Sequence, residues 1–116
     1  MSMRQEQVKE MLGKVNGYAR ELFGNRLDSV ILFGSYAKGS YDEESDIDIM
    51  IIADVERQEL AKYRYDFAHY GTGLDLEYGV FHSFTLQDKK TFTEWQDSIP
   101  FYQNVLAEGI VYDGQQ

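Results

Sequence analysis

The chain has 116 residues, no cysteine and a net charge of −9. That length suits one domain, expected over residues 1–116, and 43% hydrophobic residues suffice for one modest core. Without cysteine there is no disulfide, thiolate metal site or cysteine nucleophile. The acidic balance repels polynucleotide backbones, so direct binding of long nucleic acid by the chain alone is not expected. No apolar run reaches membrane-spanning length and the N-terminus is polar, which predicts a cytoplasmic protein without a membrane partner.

In chain order, residues 3–23 read as an amphipathic helix. Val8, Met11, Leu12, Val15, Ala19 and Leu22 recur at helical spacing, and Gly24 stands where a C-terminal cap is expected. Residues 28–53 follow, reading DSVILFGSYAKGSYDEESDIDIMIIA, and the rest of the chain is organised around them. Two short apolar runs, 30–33 and 47–52, the second rich in isoleucine, are bounded by turn residues, the pattern of buried strands. Asp46 and Asp48 fall at i and i+2 on the second run. Strand side chains alternate, so both leave one face, roughly 6.5–7 Å apart along the backbone, while Ile47, Ile49 and Ile51 leave the other. Two carboxylates converging from a rigid strand repel one another, and a divalent cation removes that repulsion.

Before the second strand, Gly34 permits close backbone approach and Ser35 supplies a hydroxyl. The residues 36–38 start a short helix closed by Gly39. Helix-start amides are a ready anion site, and an anion site beside a metal site suits a nucleoside triphosphate. Taken singly, Asp-x-Asp reads as a solvated strand end and Gly-Ser as a turn. Jointly, at this spacing, they point to a nucleotide site.

The two-part motif, Gly34-Ser35-x-Ala37-x-Gly39 followed after five residues by Ser45-Asp46-x-Asp48, resembles the signature of the DNA-polymerase-beta-like nucleotidyltransferases. The minimal nucleotidyltransferase proteins called MNT match best. The resemblance implies an α/β fold, a small mixed sheet with helices packed mainly on one side. It implies transfer of an NMP group from an NTP such as ATP to an acceptor, with Mg²⁺ or Mn²⁺ held by Asp46 and Asp48 and the triphosphate oriented by Gly34 and Ser35. Lys38 stands where the family often has arginine, keeping the charge but not the fork geometry. The resemblance also implies a rival reading, an antitoxin-like subunit paired with a HEPN-type helical protein in a toxin–antitoxin system. A third reading is a degenerate nucleotide binder without turnover.

Farther along, Asp54 is expected to cap a second helix from Val55 to about Tyr70, with Gly71-Thr72-Gly73 as a break. The polymerase-beta-like enzymes place a third carboxylate on the next strand. If residues 74–76 are strand, Asp75 is that acid. If they finish the helix, with Glu77 near its end, the strand starts at Val80 and Phe81 or Ser83 takes the acid's place. Strand propensity over residues 80–86 favours the second register. Beyond it, Asp88 is expected to cap a short helix toward Trp95. Pro100 opens a final helix to about Ala107, and residues 110–112 form a last strand.

Overall fold

A computed structural model describes residues 2–113. The first helix, α1 (Gln5–Phe23), places Met11, Leu12, Val15 and Ala19 of the expected stripe in the core together with Phe23, while Val8 and Leu22 pack against it only partly buried. After a 3-10 turn come strand β1 (Leu27–Phe33), the short helix α2 (Ser35–Lys38) and strand β2 (Ile47–Ala53). A 3-10 segment over Arg57–Tyr63 leads into α3 (Arg64–Tyr78) and strand β3 (His82–Asp88). The chain closes with α4 (Lys89–Trp95), α5 (Pro100–Glu108) and strand β4 (Ile110–Val111).

The four strands form one mixed sheet in the order β3-β2-β1-β4. The β1–β2 and β1–β4 pairs are antiparallel and the β2–β3 pair is parallel, as the α3 crossover allows. Register sorts the side chains. Val30, Leu32, Ile47, Ile49 and Ile51 belong to the larger core with α1 and α3. Ile31, Met50 and Ile52 face the opposite way and are covered by Phe92 of α4 with Tyr102 and Val105 of α5. The two long helices thus lie on one side, as expected, while two shorter ones close part of the other. Central β2 is therefore buried on both faces, which its near-continuous isoleucine run reflects; Asp48 is its only residue that is not.

Two local expectations are corrected. Asp54 does not cap a helix: its amide donates to Arg26 O at 2.8 Å, extending the strand pairing by one residue, and the 3-10 segment starts after Glu56. Gly71-Thr72-Gly73 is not a break, since α3 runs through it to Tyr78. Packing supplies the reason. A Cβ at Gly71 would stand 3.2 Å from the Phe84 ring and 3.5 Å from His82 O, so a residue without a side chain lets α3 lie close on β3. That contact outweighs the helix propensity lost at glycine. Asp88 does cap α4, accepting from Thr91 N at 2.8 Å, and Pro100 is the first residue of α5.

Candidate functional site

The site lies where β1 ends and β2 begins, at one end of the sheet. Phe33 pairs with Asp48 across the antiparallel ladder, and Asp48 pairs with Ser83 across the parallel one. Paired residues share a face. Phe33, Asp48 and Ser83 therefore form one row across three strands, on the side of Met50 and Ile52. Asp46, two residues before Asp48, is exposed at the mouth of this row.

The loop before β2 holds Asp46 in place by bonding to itself. The Asp42 amide donates to Ser45 Oγ at 3.0 Å, the Glu44 amide to Asp42 Oδ1 at 2.9 Å, and the Ser45 amide to Asp42 O at 3.2 Å. Asp42 is thus committed to the loop, not the site. Burial and then the charge of Asp46 push the Asp48 carboxyl above the usual carboxylate range. The two acids therefore sense one another, as their spacing on the strand implies.

Gly34 lies against Asp48. Its backbone, φ 76° and ψ −158°, is in a region that essentially only glycine occupies. A Cβ there would collide with Asp48 Oδ2 and stand 3.3 Å from its Cγ. The glycine thus brings main chain against carboxylate and opens α2, whose first residue is Ser35. The amides of Ala37 and Lys38 fold back onto Gly34 O at 3.1 and 3.2 Å. Gly34→Val is expected to cost about 1–3 kcal/mol from backbone strain alone and to displace Asp48. Thermal unfolding and MgATP titration of the variant check this, and wild-type values in both would refute the close approach.

The other expected residues fall elsewhere. Lys38 is exposed at the end of α2 and lines a cavity with Lys9, Tyr36 and Tyr41, apart from the carboxylates. Residues 74–78 are helix, so Asp75 is not on a strand; its Oδ1 accepts from His82 N at 2.6 Å and lies 2.9 Å from His82 Nδ1. Glu77 forms an ion pair with Lys14 of α1. The strand begins later, and its residue beside Asp48 is Ser83; Phe81, just before it, is largely exposed. Among the described residues no group of three or more His, Cys, Asp or Glu side chains is arranged to hold a metal. Sequence reasoning missed the nearness of Phe33 to Asp48. The strand register contained that signal, because Phe33 directly precedes Gly34.

Asp75→Asn is expected to weaken the anchoring of His82, costing about 1–3 kcal/mol, while leaving Mn²⁺ affinity unchanged. Calorimetric titration beside thermal unfolding separates the two effects. Metal affinity that falls with this substitution would bring Asp75 back to the site.

With this geometry in view, the relatives are informative. The profile of the nucleotidyltransferase domain family matches residues 12–98. "Putative protein adenylyltransferase MJ0604" of Methanocaldococcus jannaschii is 38% identical over 104 residues, covering 90% of this chain and 92% of that protein. Among solved structures, a toxin–antitoxin with AMP-PNP superposes with a TM-score of 0.52 at 21% identity, covering 90% of this chain and 74% of its own. A mutant of the toxin–antitoxin MntA-HpeT gives 0.51 at 19% identity with the same coverage. No helix of the described residues is long and apolar enough to cross a membrane. The family profile spans most of the chain and the adenylyltransferase relative nearly all of it: the chain belongs to the nucleotidyltransferase domain family.

Proposed function

We propose that this protein is a metal-dependent nucleotidyltransferase that moves an NMP group, AMP in the first instance, from an NTP to a hydroxyl of a partner protein. The observation that carries the reading is the packing of Gly34 against the Asp48 carboxylate, which brings the main chain at the head of α2 directly beside two acids. Asp46 and Asp48 offer only oxygen donors, the set that Mg²⁺ and Mn²⁺ prefer. Their mutual repulsion is relieved by a cation, so the residues fit the metal. When bound, it neutralises charge on the phosphates and the leaving oxygen.

This chain's own residues would bind and orient. Gly34 brings the head of α2 against Asp48, and Ser35 with the first amides of α2 would donate to the triphosphate oxygens. Asp46 and Asp48, fixed by β2 and the self-bonded loop, set where the α-phosphate rests. The acceptor oxygen attacks that phosphorus and the bond to the β-phosphate oxygen breaks. Pyrophosphate leaves and the hydroxyl proton passes to solvent. Ser83 cannot act as the carboxylate base that the family's third acid provides, so slow transfer by the isolated chain is expected.

A partner-dependent reading joins naturally to this one. The related sequence is named a protein adenylyltransferase and two fold neighbours are toxin–antitoxin complexes. A HEPN-type helical protein is therefore proposed as both partner and acceptor. The degenerate binder is the reading that remains if nucleotide binds but no label ever transfers. The test is calorimetry with ATP and Mg²⁺, followed by incubation with α-labelled ATP with and without the partner. Binding that needs Mg²⁺ and label that appears on protein support the proposal. Absence of ATP binding, or equal binding with chelator present, overturns it.

A further inference from the structure

α5 buries Tyr102 and Val105 in the smaller core. Phe101 is outside that stripe. It is 42% exposed, a large aromatic surface left in water at the end of the sheet that carries the carboxylates. Its ring meets that of Phe33 at 5.6 Å between centroids and 82° between planes, a perpendicular pair. Phe33 is directly opposite Asp48 and directly before Gly34, only partly buried itself. Opposed residues in an antiparallel pair are about 4.5–5.5 Å apart at Cα. Phe33 thus links the exposed Phe101 ring to the row that holds Asp48.

We propose that Phe101, propped on Phe33, is the stacking platform for the nucleobase of the bound NTP. The inference rests on the nucleotide reading above and adds which residue grips the base and how. Charge supports a base over a phosphate here. The residues of α5, PFYQNVLAE, include no cation, and Glu108 at its far end is the only ionisable acid. A neutral aromatic face suits a π-system and gives an anion nothing to pair with. Stacking of this kind tolerates any base, because each has a π-face, and favours those of larger area. Purine nucleotides should therefore bind more tightly than pyrimidine nucleotides, with no requirement for a particular edge.

The experiment titrates the full chain with ATP, CTP and inorganic tripolyphosphate, each with Mn²⁺. Phe101→Ala and Phe101→Leu should lose about 5- to 150-fold in ATP affinity, the range of one lost stacking contact. Tripolyphosphate should bind both variants as it binds the wild type. Phe101→Trp should retain ATP affinity, since it restores a ring. Circular dichroism confirms folding, and Phe101→Leu keeps apolar bulk should the alanine variant unfold. ATP affinity unchanged in Phe101→Leu overturns the platform, as does an equal loss for ATP and tripolyphosphate. Wild-type affinity that is the same for ATP and tripolyphosphate overturns the platform alone. A wild-type chain that binds neither overturns the nucleotide reading and the platform with it.

Discussion

Replacing Asp46 and Asp48 together by asparagine is expected to abolish Mn²⁺ binding while leaving the fold intact. Even residues that merely support a ligand change metal affinity 10–100-fold, so loss of both charged ligands should exceed about 100-fold. Stability without metal should hold or rise, because the carboxylates act against one another and Asp48 is partly desolvated. The pH dependence has a definite sign. Burial and Asp46 raise the Asp48 pKa in the folded state, so the folded protein holds its proton more tightly than the unfolded chain. Stability therefore falls as pH rises from the ordinary carboxylate range through the raised folded value. The Asp48→Asn variant lacks this loss, and its advantage should appear at neutral pH and vanish in acid. Calorimetry with Mn²⁺ and thermal unfolding at several pH values check both halves. Undiminished Mn²⁺ binding by the double variant would place the metal elsewhere, and a lower Tm at neutral pH would refute the repulsion.

Much of this was legible from local pattern. Most of the α1 stripe, the two apolar strands, the Asp88 cap and Pro100 at the head of α5 follow from periodicity and terminus chemistry, and the structure has each of them. What eluded local reading depends on partners distant in sequence. Gly71 looked like punctuation because the sequence does not show Phe84 packed on it. Asp54 looked like a cap because the pairing of its amide to Arg26 joins two separate segments. The two strand registers weighed for residues 74–86 differed by where the helix stops. Asp75 helps to settle that, bonding to the His82 amide just beyond the helix end at Gly79. The Asp-x-Asp and Gly-Ser motifs could be found because one strand and one turn contain them. Of their neighbours, Ser83 is one of the two residues that the second register puts in the acid's place. Phe33 escapes, because its pairing with Asp48 exists only once the register across strands is set.

Ser83→Asp is expected to convert the two-acid row into a three-acid one. Ser83 is exposed and opposite Asp48 on the neighbouring parallel strand, so a carboxylate there would share a face with Asp46 and Asp48. Without metal, the added charge should lower stability, since like charges on adjacent strands repel. With metal the sign reverses, because affinity for hard cations grows with the number of charged oxygen ligands. Mn²⁺ should bind at least about 10-fold tighter, the lower end of what a supporting residue is worth. If the carboxylate also takes the proton of the acceptor hydroxyl, label transfer should rise by about 10²–10⁴-fold, the usual gain from a positioned base. Ser83→Asn, matched in size but uncharged, should leave both quantities at wild-type levels. Calorimetry with Mn²⁺ and initial rates with α-labelled ATP read the two effects separately. Tighter metal binding with no faster transfer would assign the slow step to the acceptor, not the base. A Ser83→Asp chain that binds Mn²⁺ no better than wild type would mean that this row is not where the metal is held.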